Sequence, residues 1–164
     1  VHRGILKTGK YDDRAVFVKK LISKTNNVKF DIYGIDKVQP IWADHYFKTI
    51  SNSKMGLNLS RGEPIKYYSS DRITQIIGNG LVTLIDEKTG YRDFFNDNEM
   101  VFYKNVDDLA EKIIKISQDE KLRRKIGKKG REKYLKDFNS TLVADFIVKK
   151  TFDIKNKQRF AWEK

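Results

Sequence analysis

The sequence predicts an α/β fold in which a parallel sheet is covered by helices on both faces. Segments typical of strands and of helices alternate along the chain, and that order favours parallel strands joined by helices. Residues 81–85 form an unbroken apolar run, typical of a strand buried on both faces. Asn105 and Ser117 each precede an acidic residue by three positions, which resembles a capping box at the start of a helix.

The first third of the chain predicts a helix, a strand and a second helix. Residues 11–23 open with acidic side chains and then place apolar residues on one helical face. Residues 28–34 alternate apolar and polar side chains and end in glycine, as a partly exposed strand does. Residues 43–51 carry aromatic and aliphatic side chains at helical spacing.

The centre predicts two further strands with a helix between them. A strand at residues 55–60 leads into a polar loop at 61–64. A helix at residues 71–78 precedes the buried strand at 81–85, and Gly80 lets the chain turn between them.

The last part predicts a strand and three helices. The strand lies at residues 100–103, and Asn105 caps a helix that ends before Ser117. Ser117 caps a helix over residues 118–134, and Ser140 caps a final one.

Composition bounds the class of protein. The length of 164 residues suits one domain, so we expect residues 1–164 to form a single unit. The opening Val-His-Arg-Gly resembles the end of a strand, so we expect a truncated first strand and a fragment of a longer chain. The lack of cysteine excludes disulfide scaffolds and thiol catalysis and suits a cytoplasmic compartment. No apolar run approaches the roughly 20 residues of a membrane span.

The net charge of +12 admits polyanionic partners. Residues 121–136 hold nine Lys or Arg against one Glu, and this helix either lies on an anionic membrane or is a solvated, lysine-rich face. A nucleic-acid-binding surface needs interleaved aromatic residues, and Tyr134 is the only one in this segment. We therefore expect no nucleic-acid partner.

Three loops should meet where the strands end. In an open parallel sheet, ligands bind outside the carboxyl ends of the strands, where helix N-termini present N–H groups to anions. The loops are residues 2–9, residues 60–62 and residues 69–72. Each contains a cation, so the sequence predicts an anion site.

The third loop is the most informative. Ser69 or Ser70 can cap the helix, and Arg72 in its first turn is unfavourably placed unless an anion lies nearby. A diphosphate would satisfy this arrangement. The alternative is that Arg72 pairs with Asp71 or another neighbouring carboxylate.

Residues 67–80, Tyr-Tyr-Ser-Ser-Asp-Arg-Ile-Thr-Gln-Ile-Ile-Gly-Asn-Gly, resemble the donor-site helix of the glycosyl transferases group 1 superfamily, closest to its spore-maturation-protein-like branch. That branch has Arg, two residues, Glu, four residues, Gly and an apolar strand. Arg72, Gln75, Gly80 and residues 81–85 fall at these spacings. The resemblance extends over most of the chain and implies the C-terminal, Rossmann-like half of a GT-B glycosyltransferase, which binds the nucleotide-sugar donor.

Two positions depart from the family pattern. Gln75 stands where the family usually has a Glu that accepts hydrogen bonds from the ribose hydroxyls. An amide keeps a carbonyl acceptor but loses the strength of a charged one. Tyr67 stands where retaining members have a second Glu, so a retaining or an inverting outcome stays open.

The resemblance also implies roles for individual residues. Arg72 and Arg61 would stabilise the departing diphosphate, without metal or cofactor. The glycan or lipid-linked acceptor and the general base would belong to an N-terminal domain absent from this chain, in bacterial cell-surface polysaccharide synthesis at the inner face of the membrane. The other residues expected to border the donor are Asn58, Ser60, Tyr67, Ser69, Ser70, Asp71, Gln75, His2, Arg3 and Gly4.

Two other classes of function remain alternatives. A nucleotide-sugar-binding or epimerase-like module could share this architecture, although an epimerase needs an acid and base pair that the sequence does not offer. A basic nucleic-acid-binding domain would reveal itself by steeply salt-dependent binding.

Overall fold

The computed structural model describes residues 12–35, 37–60, 62–68, 70–155 and 159–163. Its helices and strands, in chain order, are α1 (Asp13–Lys24), α2 (Ala43–Asn52), β1 (Met55–Asn58), α3 (Asp71–Gly78), β2 (Val82–Asp86), β3 (Val101–Tyr103), α4 (Val106–Gln118), α5 (Glu120–Asp137) and α6 (Ser140–Thr151). Two 3-10 turns, Glu87–Thr89 and Tyr91–Asp93, follow β2.

The three strands form one parallel sheet in the order β1-β2-β3. Leu57 is paired with Leu84, and Leu84 with Val101, so β2 has a neighbour on each side. Every residue of β2 from Val82 to Ile85 is buried, as predicted for a strand covered on both faces. The predicted α/β class is confirmed.

Apolar clusters cover both faces of the sheet. Because side chains alternate along a strand, Val82 and Leu84 enter one cluster and Ile85 enters the other. The first cluster joins the sheet to α1 and α4, through residues that include Leu21, Leu109 and Ile113. The second joins it to α3 and to the aromatic residues after β2, through Ile73, Ile77, Tyr91, Phe95 and Phe102.

α5 packs so closely that two of its positions admit only glycine without movement of a neighbour. A Cβ on Gly127 would lie 2.1 Å from the carbonyl oxygen of Gly80, and one on Gly130 would lie 2.2 Å from that of Glu99. Gly80 itself has a φ of 75°, which confirms the predicted turn between α3 and β2. The long basic helix is therefore held against the backbone that positions α3.

The prediction of a strand at residues 28–34 is wrong. Val28 and Phe30 do pack against the first cluster, which explains their alternation with polar neighbours. The backbone of this segment joins none of the three strands, and Gly34 donates instead to the carbonyl of Val38. Alternation records which side chains are buried, whereas a strand also needs a hydrogen-bonding neighbour.

Two predicted helix caps are also wrong, each by one or two residues. α5 is capped by Asp119, which accepts from the N–H of Leu122, while the Ser117 hydroxyl donates back to Ile114 within α4. α6 is capped by Asn139 rather than by Ser140. The sequence pattern favoured the neighbouring serines, although Asp and Asn are at least as common as Ser at the N-cap position. The predicted cap of α4 is confirmed, since Asn105 accepts from the N–H groups of Asp107 and Asp108.

Candidate functional site

The carboxyl end of β1 and the N-terminus of α3 are tied together by their side chains. β1 ends at Asn58, which is only 5% exposed, two residues earlier than the sequence predicts. The Ser70 hydroxyl donates to Asn58 Oδ1 at 3.0 Å. Ser70 is the N-cap residue of α3, yet its side chain makes no capping bond, so its hydroxyl does not satisfy the first N–H groups of the helix.

Arg72, in the first turn of α3, is half-buried at this junction. Its Nη1 donates to the carbonyl of Leu59 at 3.0 Å, and no carboxylate of the described residues pairs with it. The alternative pairing with Asp71 is thus not formed. Burial lowers the pKa of Arg72, and the nearby Arg14 guanidinium lowers it further. A guanidinium stays charged under these conditions, so the junction carries a half-buried positive charge.

The guanidinium of Arg14 interacts electrostatically with that of Arg72. Its Nε and Nη2 donate to the two carboxylate oxygens of Asp12, at 3.0 and 3.2 Å. Asp12 is 4% exposed and also caps α1 by accepting from the N–H of Arg14. This carboxylate orients Arg14 and pairs with its charge, and with the exposed Asp13 and Asp71 the starts of α1 and α3 hold three acidic residues and two arginines.

Tyr46, on α2, contacts α3 close to Arg72. Its hydroxyl donates to Oε1 of Gln75. Burial raises the pKa of Tyr46, and the charge of Arg72 opposes that rise. Arg14, Tyr46 and Arg72 all line one cleft of about 890 Å³ between α1, α2 and β1.

Sequence reasoning missed Arg14 and Tyr46 as site residues. Tyr46 appeared as one of the apolar-face residues of α2, and its spacing carries no sign of the hydroxyl's partner. Arg14 stands two residues after Asp12, a spacing at which an acidic cap can hold an arginine. That local signal was present in the sequence, but the proximity of Arg14 to Arg72 depends on the whole topology.

Tyr67 faces the turns that follow β2. Its ring lies 5.2 Å from that of Phe94, its hydroxyl donates to Asp93, and its N–H donates to Thr89 at 2.8 Å. Its φ of 61° is uncommon outside glycine. Tyr68 is more open, at 58% exposed, and interacts electrostatically with Arg72. Of the two tyrosines, Tyr68 has the freer ring.

Two of the remaining predicted site residues lie in the described part of the chain. Asp71 is exposed and forms no ion pair within the described chain, and Ser60 is half-buried just after β1. The rest lie outside the described residues, namely His2, Arg3, Gly4, Arg61 and Ser69. The structure thus brings together Asn58, Ser70, Arg72 and Gln75 of the predicted set.

Arg72 and the N-terminus of α3 provide positive charge and N–H donors where β1 ends. Arg14 interacts electrostatically with Arg72 but is paired with Asp12, and Asp13 and Asp71 are exposed acidic residues in the first turns of α1 and α3. In the part of the chain that the structure describes, no group of three or more His, Asp or Glu could hold a metal ion. No described helix is both long and apolar enough to cross a membrane.

A three-stranded parallel sheet with helices on both faces defines a Rossmann-like α/β domain. The chain belongs to the glycosyl transferase-like family, because the model of that family matches residues 14–149. This match supports a glycosyltransferase-type function. No curated protein and no solved structure matches the sequence.

Proposed function

We propose that this chain is the donor-binding half of a GT-B glycosyltransferase of the spore-maturation-protein-like branch. It would bind a nucleotide-diphosphate sugar, whose sugar is transferred to a glycan or lipid-linked acceptor during cell-surface polysaccharide synthesis. The observation that carries the proposal is the half-buried Arg72 in the first turn of α3, which has no described carboxylate partner and interacts electrostatically with Arg14. A guanidinium without a carboxylate partner at a helix N-terminus is stabilised by a negatively charged phosphate.

In the proposed reaction the diphosphate is the leaving group. The acceptor oxygen bonds to the anomeric carbon of the sugar while the bond from that carbon to the diphosphate oxygen breaks. The electron pair stays on the diphosphate, and the acceptor proton passes to a general base expected in an N-terminal domain. Arg72 and Arg14 would offset the charge that grows on the diphosphate, as would Arg61, and this electrostatic stabilisation needs no metal.

The α5 helix supports a further partner, an anionic membrane surface. Lys121, Lys125 and Lys129 recur every fourth residue, so they share one face of the helix. All three are exposed and form no ion pair with a described residue. Such a row can lie against anionic lipid headgroups, where a lipid-linked acceptor would be found.

The donor site is tested by thermal unfolding with UDP, GDP, ADP, CMP and their sugar conjugates. A ligand at about 100 times its Kd adds roughly 2.7 kcal/mol to the free energy of unfolding, which raises Tm by about 5–10 °C in a chain of this size. We expect one base to produce this shift and Arg72→Ala to abolish it. Arg124→Ala is the control, because it removes an arginine whose exposed carboxylate partner, Glu120, lies on the same helix. A chain that no nucleotide stabilises at millimolar concentration would contradict the proposal.

A further inference from the structure

The last helix, α6, exposes its apolar side. An ordinary surface helix turns its apolar side to the core and its charged side to water. In α6 no residue is buried, and Val143, Ala144, Ile147 and Val148 are exposed together on one face. Ile147 is 56% exposed, and Phe152, which follows the helix, is 72% exposed. We call these five residues the apolar patch.

The charged side chains of α6 are engaged with the protein instead. Lys149 pairs with Asp145, and its ammonium group lies over the ring of Phe160. Lys150 pairs with Glu163 at 3.1 Å. These contacts fasten α6 to the C-terminal segment of the chain, and charged residues flank the apolar patch without entering it.

The segment that follows the apolar patch is basic. Residues 149–159 hold five Lys or Arg against one Asp. A helix with an apolar side and neighbouring lysines binds in the plane of an anionic membrane, where the apolar side enters the boundary between headgroups and acyl chains. The core of a protein–protein interface is instead depleted of lysine. The 12 residues of α6 are too few to span a bilayer, so such a helix would lie along its surface.

From this arrangement we infer that α6 is a membrane-contact helix whose apolar patch inserts into the surface of an anionic lipid bilayer. The inference goes beyond the proposed function, because this contact is apolar and involves neither the donor site nor the lysines of α5. The lysines of α5 would attract the membrane from a distance, whereas α6 would make the contact that salt does not screen.

A triple variant, Val143→Ser, Ile147→Ser and Val148→Ser, tests the patch without a change of charge. Serine, valine and isoleucine have similar helix propensities, so α6 should remain folded. In co-sedimentation with vesicles of equal parts phosphatidylglycerol and phosphatidylcholine, the variant should bind at least about tenfold more weakly than wild type. The ratio of the two affinities should be the same at about 0.05 and 0.15 M salt, because salt screens charges and not apolar contacts.

The matched control replaces Val16, Val38 and Ile65 by Ser. These side chains are exposed to a similar degree and lie in other parts of the chain, so the control has the same composition as the test variant. It should bind the vesicles as wild type does. The Tm of each protein shows whether the two variants are equally well folded.

Three results would overturn the inference. The first is a loss of less than about tenfold in the test variant, and the second is an equal loss in the control. The third is a wild-type dimer that the test variant dissociates in sedimentation equilibrium, because a second copy of the chain would then cover the patch.

The nucleotide titration separates this inference from the proposed function. The test variant should keep the rise in Tm that a nucleotide produces in wild type. If that rise is present while the patch has no effect on vesicle binding, only the inference fails. If vesicle binding depends on the patch but no nucleotide raises Tm, only the donor site fails.

Discussion

At the scale of single residues, Arg14 is the position where the structure adds most to the sequence. Its guanidinium is held by both oxygens of Asp12 and lies near Arg72, although 58 positions separate the two arginines (72 minus 14). The charge of Arg14 lowers the pKa of Arg72, while Asp12 pairs with Arg14. A bound anion that contacts both arginines would offset the repulsion between them.

Arg14→Ala should weaken the binding of a nucleoside diphosphate by about tenfold or more. One charge-assisted hydrogen bond contributes about 1.5–3 kcal/mol, and the variant loses the charge as well. Calorimetry on the nucleotide that shifts Tm most would measure this change, with Arg124→Ala as the control. The variant also removes a partner of the buried Asp12, so its Tm without ligand must be recorded separately. Unchanged affinity in a folded variant would show that Arg14 serves only to pair with Asp12.

Individual residues also show how far sequence reasoning reaches into the site. Arg72 was predicted because a cation at a helix start is locally unfavourable, and that argument needs only neighbouring residues. The contact of Tyr46 with Gln75 joins residues 29 positions apart, and nothing in the local pattern of α2 indicates it. Residues whose role depends on a helix end can be predicted from the sequence. Residues that pair between two elements can be identified only when the packing of those elements is known.

At the scale of elements, helices with clear ends were predicted best. The bounds of α3 agree with the prediction at both ends, because a polar start and a glycine turn limit a short apolar helix. Residues 28–34 were mistaken for a strand, since burial of Val28 and Phe30 produces the same alternation without a hydrogen-bonded strand neighbour among the described residues. The helix α5 was predicted from a capping box at Ser117, but its two packing glycines, Gly127 and Gly130, were not recognised.

Gly127→Ala should lower the free energy of unfolding by about 1–3 kcal/mol. The added Cβ would lie 2.1 Å from the backbone oxygen of Gly80, and overpacking against a backbone outweighs the gain in helix propensity. Thermal or urea unfolding measures the change. Gly78→Ala is the control, because it is helical and has nothing within 4 Å of the new Cβ. It should be neutral or stabilise the chain by up to about 1 kcal/mol, and equal losses in both variants would contradict the packing argument.

The lysine row on α5 makes a second prediction at this scale. Replacing Lys121, Lys125 and Lys129 by Gln should weaken binding to phosphatidylglycerol vesicles by about 100-fold, since each lysine near an anionic surface contributes about 1 kcal/mol. Co-sedimentation measures this binding, and the same assay with phosphatidylcholine vesicles measures the binding that does not depend on anionic lipid.

A matched triple variant separates the row from the total charge of the helix. Arg124, Lys128 and Lys133 are each paired with a carboxylate one turn away, so their replacement by Gln changes the net charge equally. It should weaken binding far less, because a paired cation attracts lipid less strongly. Equal losses in the two variants would mean that only the net charge attracts the vesicles, and no binding by wild type would identify the row as a solvated face.

At the scale of the whole molecule, the net charge of +12 attracts anions in general. The measured affinity for an anionic ligand therefore contains a contribution from this general attraction and one from the candidate site. Salt distinguishes the two contributions. Attraction between exposed charges is screened beyond a Debye length of about 10 Å at 0.1 M salt, whereas a half-buried pair is screened less. Arg72 is half-buried, while Lys121, Lys125 and Lys129 of α5 are exposed.

The affinity for a nucleoside diphosphate should therefore fall by less than about tenfold between about 50 and 200 mM salt. By comparison, a protein that binds DNA through about six to ten phosphates loses about 10³–10⁵ in affinity over that range. Fluorescence titrations with a labelled nucleotide and a labelled single-stranded DNA, on the same preparation, measure both. We expect the nucleotide to remain bound and Arg72→Ala to lose it at every salt concentration. The opposite outcome is that the DNA binds more tightly and with the steeper salt dependence, while Arg72→Ala changes the affinity of neither ligand. The exposed surface charge would then be the functional feature, and the nucleic-acid alternative would be favoured. A donor site that includes Arg72 must lose affinity for its ligand when that arginine is replaced.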